Sequence, residues 1–92
     1  MTDDEYNQRM ALDRAAKAKS LLESELFREV MDGLETDLIE AWKNSPPNDA
    51  DSRERAWMAV NVLRNIRSIL DRYEVAGKFA EHALAALHPN KL

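Results

Sequence analysis

Ninety-two residues suffice for one small domain, and a composition of 45% hydrophobic and 33% charged residues excludes a disordered chain. The absence of cysteine excludes a disulfide framework and a thiolate metal site. The net charge of −4 disfavours a nucleic-acid partner, because duplex affinity comes largely from basic side chains. That charge is uneven: twelve acids and six bases give residues 1–50 a charge of −6, whereas five acids and seven bases give residues 51–92 a charge of +2.

The first predicted element is a helical arm over residues 3–43. Thr2-x-x-Glu5 has the spacing of a capping box at its start. A second such signal, Ser20-x-x-Glu23, leaves open whether the arm is one helix or two helices joined near Ser20. At about 100° per residue the arm has one apolar stripe, formed by Leu26, Phe27, Val30, Met31, Leu34, Leu38, Ala41 and Trp42.

The predicted turn covers residues 44–50. Pro46 and Pro47 remove two consecutive N–H donors, so the first arm must end near Lys43. Signals for a new helix follow at once, and the candidate N-caps are Asp49, Asp51 and Ser52.

The second predicted arm covers residues 52–87 and ends where Pro89 follows His88. Its apolar residues follow a pattern close to a heptad. Gly77 is either a point of close packing or the end of a helix near Ala76. The heptad positions are Ala59, Leu63, Ile66, Leu70, Tyr73, Gly77, Ala80, Leu84 and Leu87.

These elements predict an all-α fold: a helical hairpin in a single domain over residues 1–92, or a three- to four-helix variant of it. Two lone helices cannot cover such wide apolar stripes, and the burial expected barely exceeds the ordering entropy in so short a chain. We therefore expect self-association into a helical bundle. The residues predicted to pack or to self-associate are Phe27, Met31, Leu34, Leu38, Trp42, Leu63, Ile66, Leu70 and Tyr73.

The sequence offers no residues for catalysis, for a cofactor or for a metal. His82 and His88 are the only histidines, and their spacing does not match a metal-binding pair. The carboxylates of the first arm are typical of a solvated helix face, and no nucleophile elbow or glycine-rich phosphate loop is present. We predict a protein that is not an enzyme and has no small-molecule substrate.

A cluster on the second arm is the candidate interaction surface. Its basic residues project within about 60° of one another on a helix, with Trp57 and Val60 at the same edge. Three interpretations stay open: arginine stems that lie along the bundle, a protein interface, or nucleic-acid binding. Asp71 interrupts the stripe, which argues against a phosphate track. The basic members are Arg53, Arg64, Arg67 and Lys78.

Two tryptophans flank the Pro-Pro turn: Trp42 lies four residues before Pro46, and Trp57 lies ten residues after Pro47. In a hairpin they would reach the same end. We expect them to cap the core there, with a pocket for a partner as the alternative.

The residues placed so far resemble a group of small helical proteins encoded in tailed phages and prophages. The resemblance covers roughly residues 20–80 and carries no functional residues. It is based on Leu21-Leu22, Phe27, Leu38, Trp42, Pro47-x-x-x-Asp51-x-Arg53-Glu54-x-x-Trp57, Leu63, Ile66, Leu70 and Gly77-Lys78. It implies a non-enzymatic phage protein, either structural or host-directed.

The sequence thus predicts a helical protein-interaction or assembly protein whose partner is a protein, in the first place a second copy. The alternative is a small nucleic-acid-associated regulator or packaging subunit that uses the basic cluster. The acidic start, Met1 to Glu5, does not match a signal peptide, and no apolar run approaches the roughly 18 residues of a membrane span. We expect a cytoplasmic protein with no membrane contact, or one incorporated into a virion.

Overall fold

The computed structural model describes residues 2–87, and these residues form three helices. Helix α1 spans Asp3–Glu23, α2 spans Glu25–Lys43 and α3 spans Ala50–Leu87. Among the described residues only the helix caps and the turn are not helical, which confirms the all-α prediction. His88 and Pro89, where the second arm was predicted to end, lie outside the described residues.

Contacts group the chain into two compact units. Unit 1 combines the chain up to Leu22, most of α1, with the part of α3 from Ile69 onward, and unit 2 spans Glu23–Ser68. The second helix of each unit is therefore one half of α3. The finer predictions, a hairpin in a single domain and a bundle by self-association, stay predictions.

The first arm is interrupted at Ser24, four residues after the position suggested by the sequence. Ser24 has extended backbone (φ −67°, ψ 122°), and its hydroxyl accepts a hydrogen bond from the Phe27 N–H at 3.2 Å. Ser20 instead continues α1. Acidic Glu25 follows Ser24 and suits the positive end of a helix dipole, whereas Ser20 is followed by two leucines.

The turn after Lys43 is held by polar contacts within the chain. The Arg53 guanidinium donates to the carbonyl oxygens of Pro46 at 2.8 Å and Pro47 at 2.9 Å. Asp49 accepts from the Ser52 N–H at 3.1 Å and from the Ser52 hydroxyl at 2.7 Å, which selects Asp49 among the three predicted caps. Helix α3 accordingly begins at Ala50, two residues before the predicted start.

In unit 2, α2 and the first half of α3 run antiparallel. Arg64 pairs with Glu35 and Arg67 pairs with Asp32, so residues later in α3 meet residues earlier in α2. The buried apolar residues of this unit are Met31, Ala56, Val60 and Leu63. The contact stripe on α3 is thus rotated from the predicted one: Ala56 and Val60 are buried, while Ile66 is 38% exposed.

Unit 1 is built on small residues. Ala18 and Ala80 are buried, and a Cβ built on Gly77 would overlap the Cβ of Ala15. Helix α3 continues through Gly77. The prediction that Gly77 is a point of close packing is therefore confirmed, and the alternative that a helix ends near Ala76 is wrong. The Arg14 guanidinium lies 5.1 Å from the centroid of the Tyr73 ring, within the range of a cation–π contact.

Candidate interaction surface

Unit 2 has large apolar side chains on its surface as well as in its core. On α2, Leu26 is 69% exposed, and Val30 and Leu34 follow it at intervals of one turn. On α3, Met58 and Val62 are each 59% exposed and Ile66 continues their stripe. We name these six residues the apolar face: Leu26, Val30, Leu34, Met58, Val62 and Ile66.

Both halves of the apolar face lie on the same side of unit 2. At about 100° per residue each stripe spans about 80° of its helix. Viewed from the N-terminus of its own helix, each stripe is displaced from the contact residues in the same rotational direction. When two antiparallel helices are viewed from one end, successive residues wind clockwise around one helix and anticlockwise around the other. The two stripes therefore point to a common side, next to the contact formed by Met31 and Leu63.

The other side of unit 2 is polar and carries the interhelical ion pairs. The Arg67 guanidinium donates to Asp32 at 2.6 Å and also lies 4.0 Å from Glu35, and Arg64 donates to Glu35 at 3.3 Å. Exposed pairs of this kind contribute about 0.2–1 kcal/mol each. Unit 2 thus has one charged side and one mainly apolar side, which also carries Asp37 and Arg55.

The residues of the predicted basic cluster are in different surroundings. Arg64 and Arg67 are paired with acids of α2, and Arg53 is bound to the carbonyls of the turn. Val60, predicted at the edge of that surface, is buried at 4% exposure. Lys78 belongs to unit 1, where it lines an open groove of about 370 Å³ between α1 and α3. Whether this cluster binds a partner stays a prediction.

The two tryptophans do come together. Trp42 and Trp57 line a cavity of about 130 Å³ with Ile39, Val60 and Arg64. Both rings remain about half exposed, at 45% and 54%. They close one end of the unit 2 contact and also leave an aromatic surface there.

The residues predicted to pack fall into three groups. Met31 and Leu63 are buried; Phe27, Leu38, Leu70 and Tyr73 are half-buried; Leu34, Trp42 and Ile66 are exposed. Met58 was missed by the sequence analysis. The sequence did indicate this residue: Met58 lies four residues before Val62 and eight before Ile66, and these three form a second apolar stripe beside the contact stripe.

Within the described part of the chain no group of three or more histidine, aspartate or glutamate side chains could hold a metal ion. His82 is exposed, and His88 lies outside the described residues. No helix in residues 2–87 is both long enough and apolar enough to cross a membrane. The comparisons with known proteins found no family model, no curated protein and no solved structure that matches the chain.

Proposed function

We propose that this chain is a non-enzymatic helical interaction protein that works by self-association through the apolar face. The observation that carries the proposal is the position of six large apolar side chains on one side of unit 2, opposite its ion pairs. Exposed apolar patches with polar borders mark interaction sites in soluble proteins. Association would complete a helical bundle around that face.

The exposure of the apolar face supports the proposal. Leu26 is 69% exposed and Met58 and Val62 are each 59% exposed, whereas the core residues Met31 and Leu63 of the same unit are 5% and 9% exposed. Among the described residues no large side chain is fully buried.

The resemblance to small helical phage proteins gives this association a biological setting. A self-associating helical protein without catalytic residues suits an assembly or accessory role in a phage particle. The alternative, a nucleic-acid-associated regulator, has less support because Asp32 and Glu35 neutralise two of the four basic residues that it needs.

The test is size exclusion with light scattering over a concentration series. We expect a defined oligomer, with a mass at least twice 10.5 kDa. Val62→Glu places a charge on the apolar face and should shift the protein to monomer. The matched control is Ser68→Glu, which adds the same charge on the same helix about 120° away from Val62. Both positions are exposed, so circular dichroism should show intact helices in both variants.

A monomer at tens of micromolar wild-type protein would contradict self-association. An oligomer that persists in Val62→Glu would show that a different surface is used. Salt-sensitive binding of DNA by a monomeric protein would favour the nucleic-acid alternative.

A further inference from the structure

The charges on and around the apolar face indicate what covers that face, a second copy of the chain, and how the two copies are oriented. Resting on the proposed self-association, we infer that α2 of each copy packs against α3 of the other, with the turns of both copies at the same end. The two-fold axis then runs parallel to the helices, and every neighbouring helix in the four-helix bundle is antiparallel.

The two helices of unit 2 carry opposite charge. Helix α2 has six acids and two bases, which gives −4. Residues 50–68 of α3 have two acids and four bases, which gives +2. Placing α2 on the partner's α2 would bring the two acidic helices together, whereas placing α2 on the partner's α3 pairs opposite charges.

Two charged residues lie within the apolar stripes themselves. On a helical wheel Asp37 falls between Leu26 and Val30, and Arg55 falls between Val62 and Ile66. Both charged side chains are exposed, and neither makes an ion pair or a side-chain hydrogen bond among residues 2–87. The charge of Arg55 acts on Asp49 only as a minor contribution to its lowered pKa.

Both charged residues also belong to the parts of their helices near the turn. With the turns of two copies at the same end, Asp37 of one copy and the partner's Arg55 lie on facing stripes of neighbouring helices. The register of the Arg64–Glu35 pair offsets them by about 10 Å along the bundle, and the two-fold axis produces this attraction twice. With the turns at opposite ends, the two residues are separated by much of the length of the bundle. The pair therefore distinguishes the two orientations.

The experiment uses charge reversal in the full chain. Asp37→Arg alone and Arg55→Asp alone should each weaken the homodimer, by about fivefold or more, since each places like charges at two symmetric contacts. The matched control is Glu29→Arg, which changes the net charge as Asp37→Arg does but lies on the outer side of α2.

Mixing the two variants provides the decisive measurement. In the mixed dimer both contacts have opposite charges again, so native mass spectrometry should find the heterodimer well above its statistical share of one half. Glu29→Arg mixed with Arg55→Asp should show no such preference.

The outcomes separate the two proposals. A wild-type dimer whose variants mix statistically, or are as stable as wild type, overturns the inferred orientation and leaves self-association intact. A tighter dimer for Asp37→Arg alone indicates that α2 lies on the partner's α2, and also overturns it. A monomeric wild type overturns the proposed function itself.

Discussion

Gly77 and Gly33 are the two glycines of the chain, and they have opposite surroundings. Gly77 is buried where α3 approaches α1, and a Cβ there would overlap that of Ala15. Nothing lies within 4 Å of a Cβ built on Gly33. The first glycine therefore permits close packing, while the second only weakens its helix.

We predict opposite effects for the two Gly→Ala changes. Gly77→Ala should lower the free energy of unfolding by about 1–3 kcal/mol, because Ala15 is too short to move aside without its backbone. Gly33→Ala should raise it by about 0.5–1 kcal/mol through helix propensity. Denaturant titration of both variants measures this. A stabilised Gly77→Ala protein would mean that α1 and α3 are not in such close contact.

Asp49 makes the stability of the α3 N-terminus depend on pH. Its hydrogen bonds with Ser52 lower the pKa of its carboxyl from the ordinary value of 3.8, with smaller contributions from the charges of Arg55 and Arg53. Because the folded-state pKa lies below that of the unfolded chain, the stabilising contribution is complete above the ordinary value. It is lost as the pH falls through the folded-state pKa.

We therefore expect Asp49→Asn, which retains a capping oxygen but cannot ionise, to show a smaller loss of thermal stability between neutral pH and pH below about 4. Melting curves of wild type and variant across that range provide the measurement. An equal loss in both proteins would show that other carboxylates account for the acid sensitivity.

At the level of the elements, the break in the first arm depends on one hydroxyl. Ser24 caps α2 through the Phe27 N–H, while Ser20 lies inside α1. Ser24→Ala should destabilise the protein by about 1 kcal/mol. Ser20→Ala, the matched control, should be neutral or stabilising by a few tenths of a kcal/mol, since alanine is the better helix former. Chemical denaturation compares the two, and the reverse order would place the break at Ser20.

The features that could be predicted well from the sequence are those determined by neighbouring residues in the chain. Pro46 and Pro47 cannot continue a helix, so the end of α2 at Lys43 followed directly. Trp42 and Trp57 come together because each lies in the part of its helix that adjoins the turn, where the two antiparallel helices meet. The break at Ser24 was harder, because two serines four residues apart have similar capping chemistry and tertiary packing decides between them.

The side of α3 that contacts α2 was harder still to predict from the sequence. This helix has two neighbouring apolar stripes in unit 2, one against α2 and one on the surface, and a periodicity argument finds their average. Ile66 was therefore predicted in the contact and Val60 at the edge of the basic cluster, whereas Val60 is buried and Ile66 is 38% exposed. Arg67 also lies beside the contact stripe, where a charged residue is tolerated because Asp32 pairs with it.

At the scale of the whole molecule, much of the chain's apolar surface is exposed rather than buried. Each unit is a single pair of helices, and one helix pair buries only part of its two apolar stripes. In unit 1 the contact is made by alanine and glycine, which allow the helices to approach closely but bury little area. The candidate surface in unit 2 could be predicted as apolar from the sequence, but its position required the rotation of α3 to be known.

The distribution of aromatic residues gives each unit its own spectroscopic probe. Both tryptophans, Trp42 and Trp57, belong to unit 2, and both tyrosines, Tyr6 and Tyr73, belong to unit 1. Light that excites only tryptophan therefore reports on unit 2. The tyrosine bands report on unit 1 once the overlapping tryptophan absorbance is separated in the second-derivative spectrum. Coincident melting of the two signals marks one cooperative transition, and a separation between them gives the stability of each unit in an unlabelled, unmutated protein.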